Sequence, residues 1–134
     1  MREISGGEMF HQEKYKSVIW VKGGRTYPEL DCFGLINEVR SDLNLPLWPD
    51  FAGVTKDNGG LDREAKKLML SLESCEPCEG ACVVCYSGST VTHVAVVVRI
   101  GDQLRVAECN PQTNVTFLPL SRFKRRFVKV GFWR

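Results

Sequence analysis

Histidine is nearly absent from this chain: of 134 residues, only His11 and His93 carry an imidazole. Acid–base chemistry by histidine near neutral pH therefore has two candidates. An excess of charge of one sign is lacking too. Eighteen lysines and arginines against sixteen aspartates and glutamates leave a net charge of +2, too little to imply a nucleic-acid partner. No apolar run approaches the ~20 residues of a membrane span. The stretch from Met1 to Lys16 is polar and lacks the apolar centre of a secretion signal, so entry into the general secretory route on its own signal is not expected. Internal repeats, low-complexity segments and linkers are missing, and residues 1–134 read as a single domain. What is there is average for a globular protein, with 43% hydrophobic residues, enough to bury a real core.

Six cysteines stand at Cys32, Cys75, Cys78, Cys82, Cys85 and Cys109. Without a secretion signal, a disulfide framework is a weak reading, although a Cys75–Cys78 bridge stays open. The run from Cys75 to Cys85 superficially suggests a zinc or iron–sulfur site. Its middle gap is shorter than a zinc ribbon uses. A strand over 81–86 would also turn Cys82 and Cys85 to opposite faces. No metal or other cofactor is expected. Cys109 neighbours Glu108 and is expected to line the same cleft.

Helices are expected first. Residues 1–10 read as a loose start, and His11 to Trp20 as a short helix or extended lead-in. The turn-rich Gly23-Gly24-Arg25-Thr26-Tyr27-Pro28-Glu29 breaks it. From Asp31, the residues Cys32, Phe33, Leu35, Ile36, Val39 and Leu43 recur at helical spacing, with Asp31 as N-cap. That helix ends before Pro46. Leu45 to Gly53 reads as an ordered loop, Asn58-Gly59-Gly60 as a turn, and Leu61 to Leu72 as a second amphipathic helix. Strands follow: Ala81–Tyr86, the β-branched Val91–Ile100, Gln103–Cys109 across a Gly101-Asp102 hairpin turn, and Val115–Leu118. The last segment, Phe123 to Trp133, falls in a basic cluster of Arg122, Lys124, Arg125, Arg126, Lys129 and Arg134 with apolar residues between. It reads mainly as a strand with a solvated face. Helices before antiparallel strands make an α+β domain.

Cys32 falls at the start of its helix, where unpaired amides and the helix dipole favour a thiolate. The bland alternative is a small buried hydrophobe. His93 opens the strongest strand, with a hydrogen-bonded structural histidine as its own alternative. Together they have the make-up of a nucleophile–base pair. A third group is then wanted to orient the imidazole. The hairpin brings the far end of Gln103–Cys109 level with His93, offering Glu108 first and Asn110 second. His11 reads as a solvated surface residue.

The stretch Trp20-Val-Lys-Gly23-Gly24-Arg-Thr-Tyr-Pro-Glu-Leu30-Asp31-Cys32-Phe33-Gly34-Leu35 resembles the nucleophile motif of the NlpC-type cell-wall cysteine peptidases. Thr92-His93-Val94-Ala95-Val96 resembles that family's histidine motif. The resemblance runs from about Trp20 onward. It implies a papain-like fold, N-terminal helices on a C-terminal antiparallel sheet, with Cys32 as nucleophile, His93 as base and the third position on Glu108. It also implies substrate contacts at Trp20, Asp31 and Phe33. Trp20 and Phe33 depart from the tyrosine and serine usual there, and the aromatic after the nucleophile is similar to phage and prophage tail variants.

The function so implied is a thiol hydrolase cleaving an amide bond in peptidoglycan stem peptides, with a virion- or tail-associated setting or a non-classical export route. Phage-tail or other protein partners fit that setting. The alternatives are an amidase or acyltransferase of related fold on another amide, and a catalytically silent phage-tail assembly module. The C-terminal basic cluster leaves room for an anionic cell-wall polymer.

Overall fold

The computed structural model describes residues 10–55 and 59–134. Most of the expected loose start, and Asn58 of the expected turn, lie outside them.

A short 3-10 helix, Gln12–Ser17, leads into β1 (Ile19–Trp20). The segment read as a plain turn pairs instead: β2 (Arg25–Thr26) runs antiparallel and β1 parallel to β3 (Glu29–Leu30), making a small three-stranded sheet. Strands of two residues have no periodicity to read, so only their pairing reveals them. Helix α1 spans Cys32–Asp42, and the Asp31 carboxylate accepts from the Gly34 amide at 2.9 Å. Its buried face is Cys32, Phe33, Leu35, Ile36 and Val39. Gly34 is needed because a Cβ there would lie 2.3 Å from the Gly24 carbonyl oxygen. That closeness presses the first turn of α1 onto the small sheet. Helix α2 spans Gly60–Leu70 and buries Leu61, Ala65 and Leu68. Asp62 accepts from the Val91 amide at 2.7 Å, tying α2 to the strand that carries His93.

The main sheet holds β4 (Cys82–Ser87), β5 (Thr90–Ile100), β6 (Gln103–Asn110), β7 (Asn114–Pro119) and β8 (Lys129–Trp133), in the order β7-β6-β5-β4-β8. Every pairing is antiparallel, giving a mixed α+β architecture. Alternation splits the sheet into two faces. Cys82, Val84, Val91, Val94, Val96, Val98, Ala107 and Cys109 pack with α1 and α2. Val83, Cys85, Ala95, Val97, Val106 and Phe132 pack with Phe123 on the other side.

That second face corrects the reading of the C-terminus. Phe123 to Trp133 is not one strand: Leu120–Lys124 forms α3, and only Lys129–Trp133 pairs as β8. Phe123 is fully buried, with Leu120 and Phe127 beside it. Leu120 and Phe123 on α3, with Phe127 just after it, cover the sheet underside, where an alternating strand would turn half of its side chains to water. Among the described residues, no helix is long and apolar enough to cross a membrane.

Candidate functional site

Cys32 is the first residue of α1, with its residue 4% exposed. It lines a cavity of about 170 Å³ together with Trp20, Asp31, Phe33, Leu61 and Pro111. All three residues expected to meet substrate thus border the Cys32 cavity. Two are also structural. Besides capping α1, Asp31 pairs with Arg25 Nη1 at 2.6 Å. The Phe33 ring lies 5.0 Å from that of Phe51, with the Arg25 guanidinium 5.5 Å from its centre on another side. The Trp20 backbone amide donates to Asn114 Oδ1 at 2.9 Å.

The neighbouring thiols are poor nucleophiles. Burial, reinforced by the nearby Cys32, pushes Cys82 up to about 12. Burial also pushes Cys109 up to about 12, with Cys32 and Asp31 adding to it. Cys109 does not line a cleft with Glu108: alternation along β6 turns it into the α1-side cluster, where it is buried and donates from Sγ to the Leu30 carbonyl at 3.4 Å. Cys85 is raised as well, by burial first and then by Glu108. Cys82 and Cys85 belong to opposite faces of the sheet. Among the described residues, no three His, Cys, Asp or Glu side chains converge as metal ligands.

His93 and Glu108 are brought together. Nε2 of His93 lies 3.0 Å from Glu108 Oε1, and both side chains are almost wholly buried. Asn110 Nδ2 donates to the same oxygen at 3.0 Å, while Arg126 Nη1 donates to Oε2. Of the two candidate third residues, Glu108 is the one bonded to the imidazole; Asn110 bonds to Glu108. Burial alone would raise the Glu108 carboxyl. The hydrogen bonds from His93, Arg126 and Asn110 outweigh it and hold the group down to about 2. Glu108 is therefore ionised near neutral pH and can only accept. Nε2 must then carry a proton, and in the neutral ring the basic lone pair sits on Nδ1. Phe127 stacks on the imidazole at 6.2 Å between centres.

Cys32 and His93 approach the sheet from different sides. On β5, Val91 pairs with Tyr86 and His93 with Cys85, leaving Thr92 as an extra residue. Counting by twos from Val91, which packs toward α1, turns His93 the same way. The bulge reverses that parity. His93 and its register partner Cys85 face α3, whereas Cys32 packs with the α1-side cluster. The β5–β6 ladder also ends at Val96 and Ala107. Beyond that pair, the His93–Glu108 contact joins the two strands.

The Arg126 contact with Glu108 is not foreseen from the sequence, which shows Arg126 only as one cation in a basic cluster. Its bond to a carboxylate 18 residues away leaves no local signal. His11 is exposed. No protein-family model matches the chain, and no curated protein matches it.

Proposed function

We propose that the chain is a thiol hydrolase on a papain-like scaffold, with Cys32 as nucleophile, His93 as base and Glu108 orienting the imidazole. One observation carries the reading. His93 Nε2 is held at 3.0 Å by an ionised, buried carboxylate, which leaves Nδ1 as the ring's basic atom. Proton transfer from the thiol to Nδ1 yields a thiolate at the start of α1, where the helix dipole favours it. The thiolate attacks an amide carbonyl, and the Cys32 backbone amide supports the oxyanion. The imidazolium protonates the leaving amine, and water activated by the same ring hydrolyses the acyl-enzyme. By its resemblance, the substrate is a peptide bond of a peptidoglycan stem peptide in a phage-tail setting, and the apolar Trp20 and Phe33 tune which peptide is accepted.

The mechanism requires the Cys32 thiol to reach Nδ1 of His93. Iodoacetamide labelling tests this directly. Cys32 should react faster than a small free thiol near neutral pH, and His93→Ala should remove the advantage. Mass spectrometry of purified cell-wall fragments then identifies the bond cut. Intact fragments beside a reactive Cys32 would move the activity to another amide substrate. The burial of Cys32, 4% exposed within the α1-side cluster, favours a second reading, a catalytically silent tail-assembly module. Ordinary Cys32 reactivity that ignores His93→Ala would establish it.

A further inference from the structure

We infer that Arg126 is a positioning residue: it holds Glu108 against His93 and balances the carboxylate's charge, so that the imidazole can remain a neutral base. This rests on the proposed role of His93. The geometry is a chain of contacts. Arg126 Nη1 donates to Glu108 Oε2, and Oε1 of the same carboxylate meets His93 Nε2 at 3.0 Å. The guanidinium also sits 5.3 Å from the centre of the Phe127 ring, and Phe127 stacks on His93. Arg126 therefore touches both groups that fix the imidazole without being bonded to it.

The physical need is clear from burial. The Glu108 side chain is 1% exposed, and a buried charge must be compensated. With Arg126 in place, the carboxylate has a permanent cation, since a guanidinium does not titrate in this range. Without Arg126, the nearest group able to supply positive charge is the imidazole itself. His93 would then be driven toward imidazolium, a form that cannot accept a proton. Close to the pair stand Asn110 on β6, which donates to Glu108, and Cys85 on β4, the register partner of His93. Asn110 is neutral, and the Cys85 thiol is held protonated by burial. Arg126 is thus the compensating cation on the α3 side, and at 44% side-chain exposure it can be replaced without opening the core.

The test is an NMR titration of His93 in the full chain, assigned with His93→Gln, in Arg126→Met and Arg126→Lys. Arg126→Met should raise the His93 midpoint by about one pH unit, a tenfold change in proton affinity. Arg126→Lys, which restores a cation, should return most of the shift. A midpoint unchanged in Arg126→Met, or moved equally by Arg126→Lys, would overturn the inference. Cys32 labelling in the same samples keeps the two ideas apart. A Cys32 rate indifferent to His93→Ala removes the thiol-enzyme reading, whereas the His93 midpoint still reports whether Arg126 sets its charge.

Discussion

The two faces of the main sheet solve burial in different ways. The α1 side is aliphatic and aromatic: Val84, Val94, Val96 and Val98 meet Leu35, Ile36 and Val39, with Cys32 at the rim. The α3 side has a smaller apolar patch around Phe123 and spends part of its interior on His93 and Glu108, with the exposed Arg126 paired to the carboxylate. Apolar packing tolerates exchange of shape for shape. A buried carboxylate tolerates little, because it is satisfied only by the groups bonded to it. The α1 side is therefore expected to carry most of the stability, and the α3 side most of the sensitivity to charge and pH.

The largest effect should come from Glu108→Ala, which strips His93 and Arg126 of their shared partner. A loss of about 4 kcal/mol in denaturant unfolding is expected. Replacing the cluster together, as Glu108→Leu with His93→Phe and Arg126→Met, should recover most of that loss. A triple variant as unstable as the single one would mean that the α3 face depends on packing and not on charge.

Gly34→Ala should cost about 3 kcal/mol, because its Cβ meets backbone at 2.3 Å and neither α1 nor the small sheet can yield. Thermal unfolding checks this, and a neutral result would show that α1 docks more loosely than its contacts imply.

Acid should distinguish the faces next. The Glu108 carboxyl is lowered from 4.5 to about 2. Its contribution is fully present above the higher value and is lost as pH falls through the lower one. The loss amounts to about 3 kcal/mol. Glu108→Gln should flatten that part of the stability–pH curve. If the slope between pH 4.5 and about 2 survives the substitution, another carboxylate governs acid unfolding.

Asp31→Ala removes both the α1 cap and the partner of Arg25, and about 2 kcal/mol is expected. Asp31→Asn keeps a capping oxygen and should cost less. The smallest effect belongs to Val128→Ser. Val128 is 99% exposed, so a change within about 0.5 kcal/mol is expected. A larger loss there would reveal packing that the exposed position does not show.

Local chemistry decided much of what was legible. Asp31 caps a helix because its carboxylate reaches an amide three residues on, and the apolar stripe from Cys32 to Val39 needs only the helical period. The β-branched run of β5 and the Gly101-Asp102 turn likewise carry their own geometry, so the hairpin that levels Glu108 with His93 could be read directly. The small sheet and α3 could not, because two-residue strands and a five-residue helix are too short to show a period, and the Arg126 contact could not, because its partner lies 18 residues away.

The facing of His93 shows the division most sharply. The sequence by itself determined that an imidazole stands at the head of a strand, one hairpin away from a carboxylate. Which side of the sheet it faces depends on a single unpaired residue, Thr92, set by the register between β4 and β5. Side chains alternate along a strand, so one inserted residue reverses every later position. That reversal puts His93 beside Glu108 and Arg126 and leaves Cys32 on the other side. Only the tertiary pairing of strands could decide it.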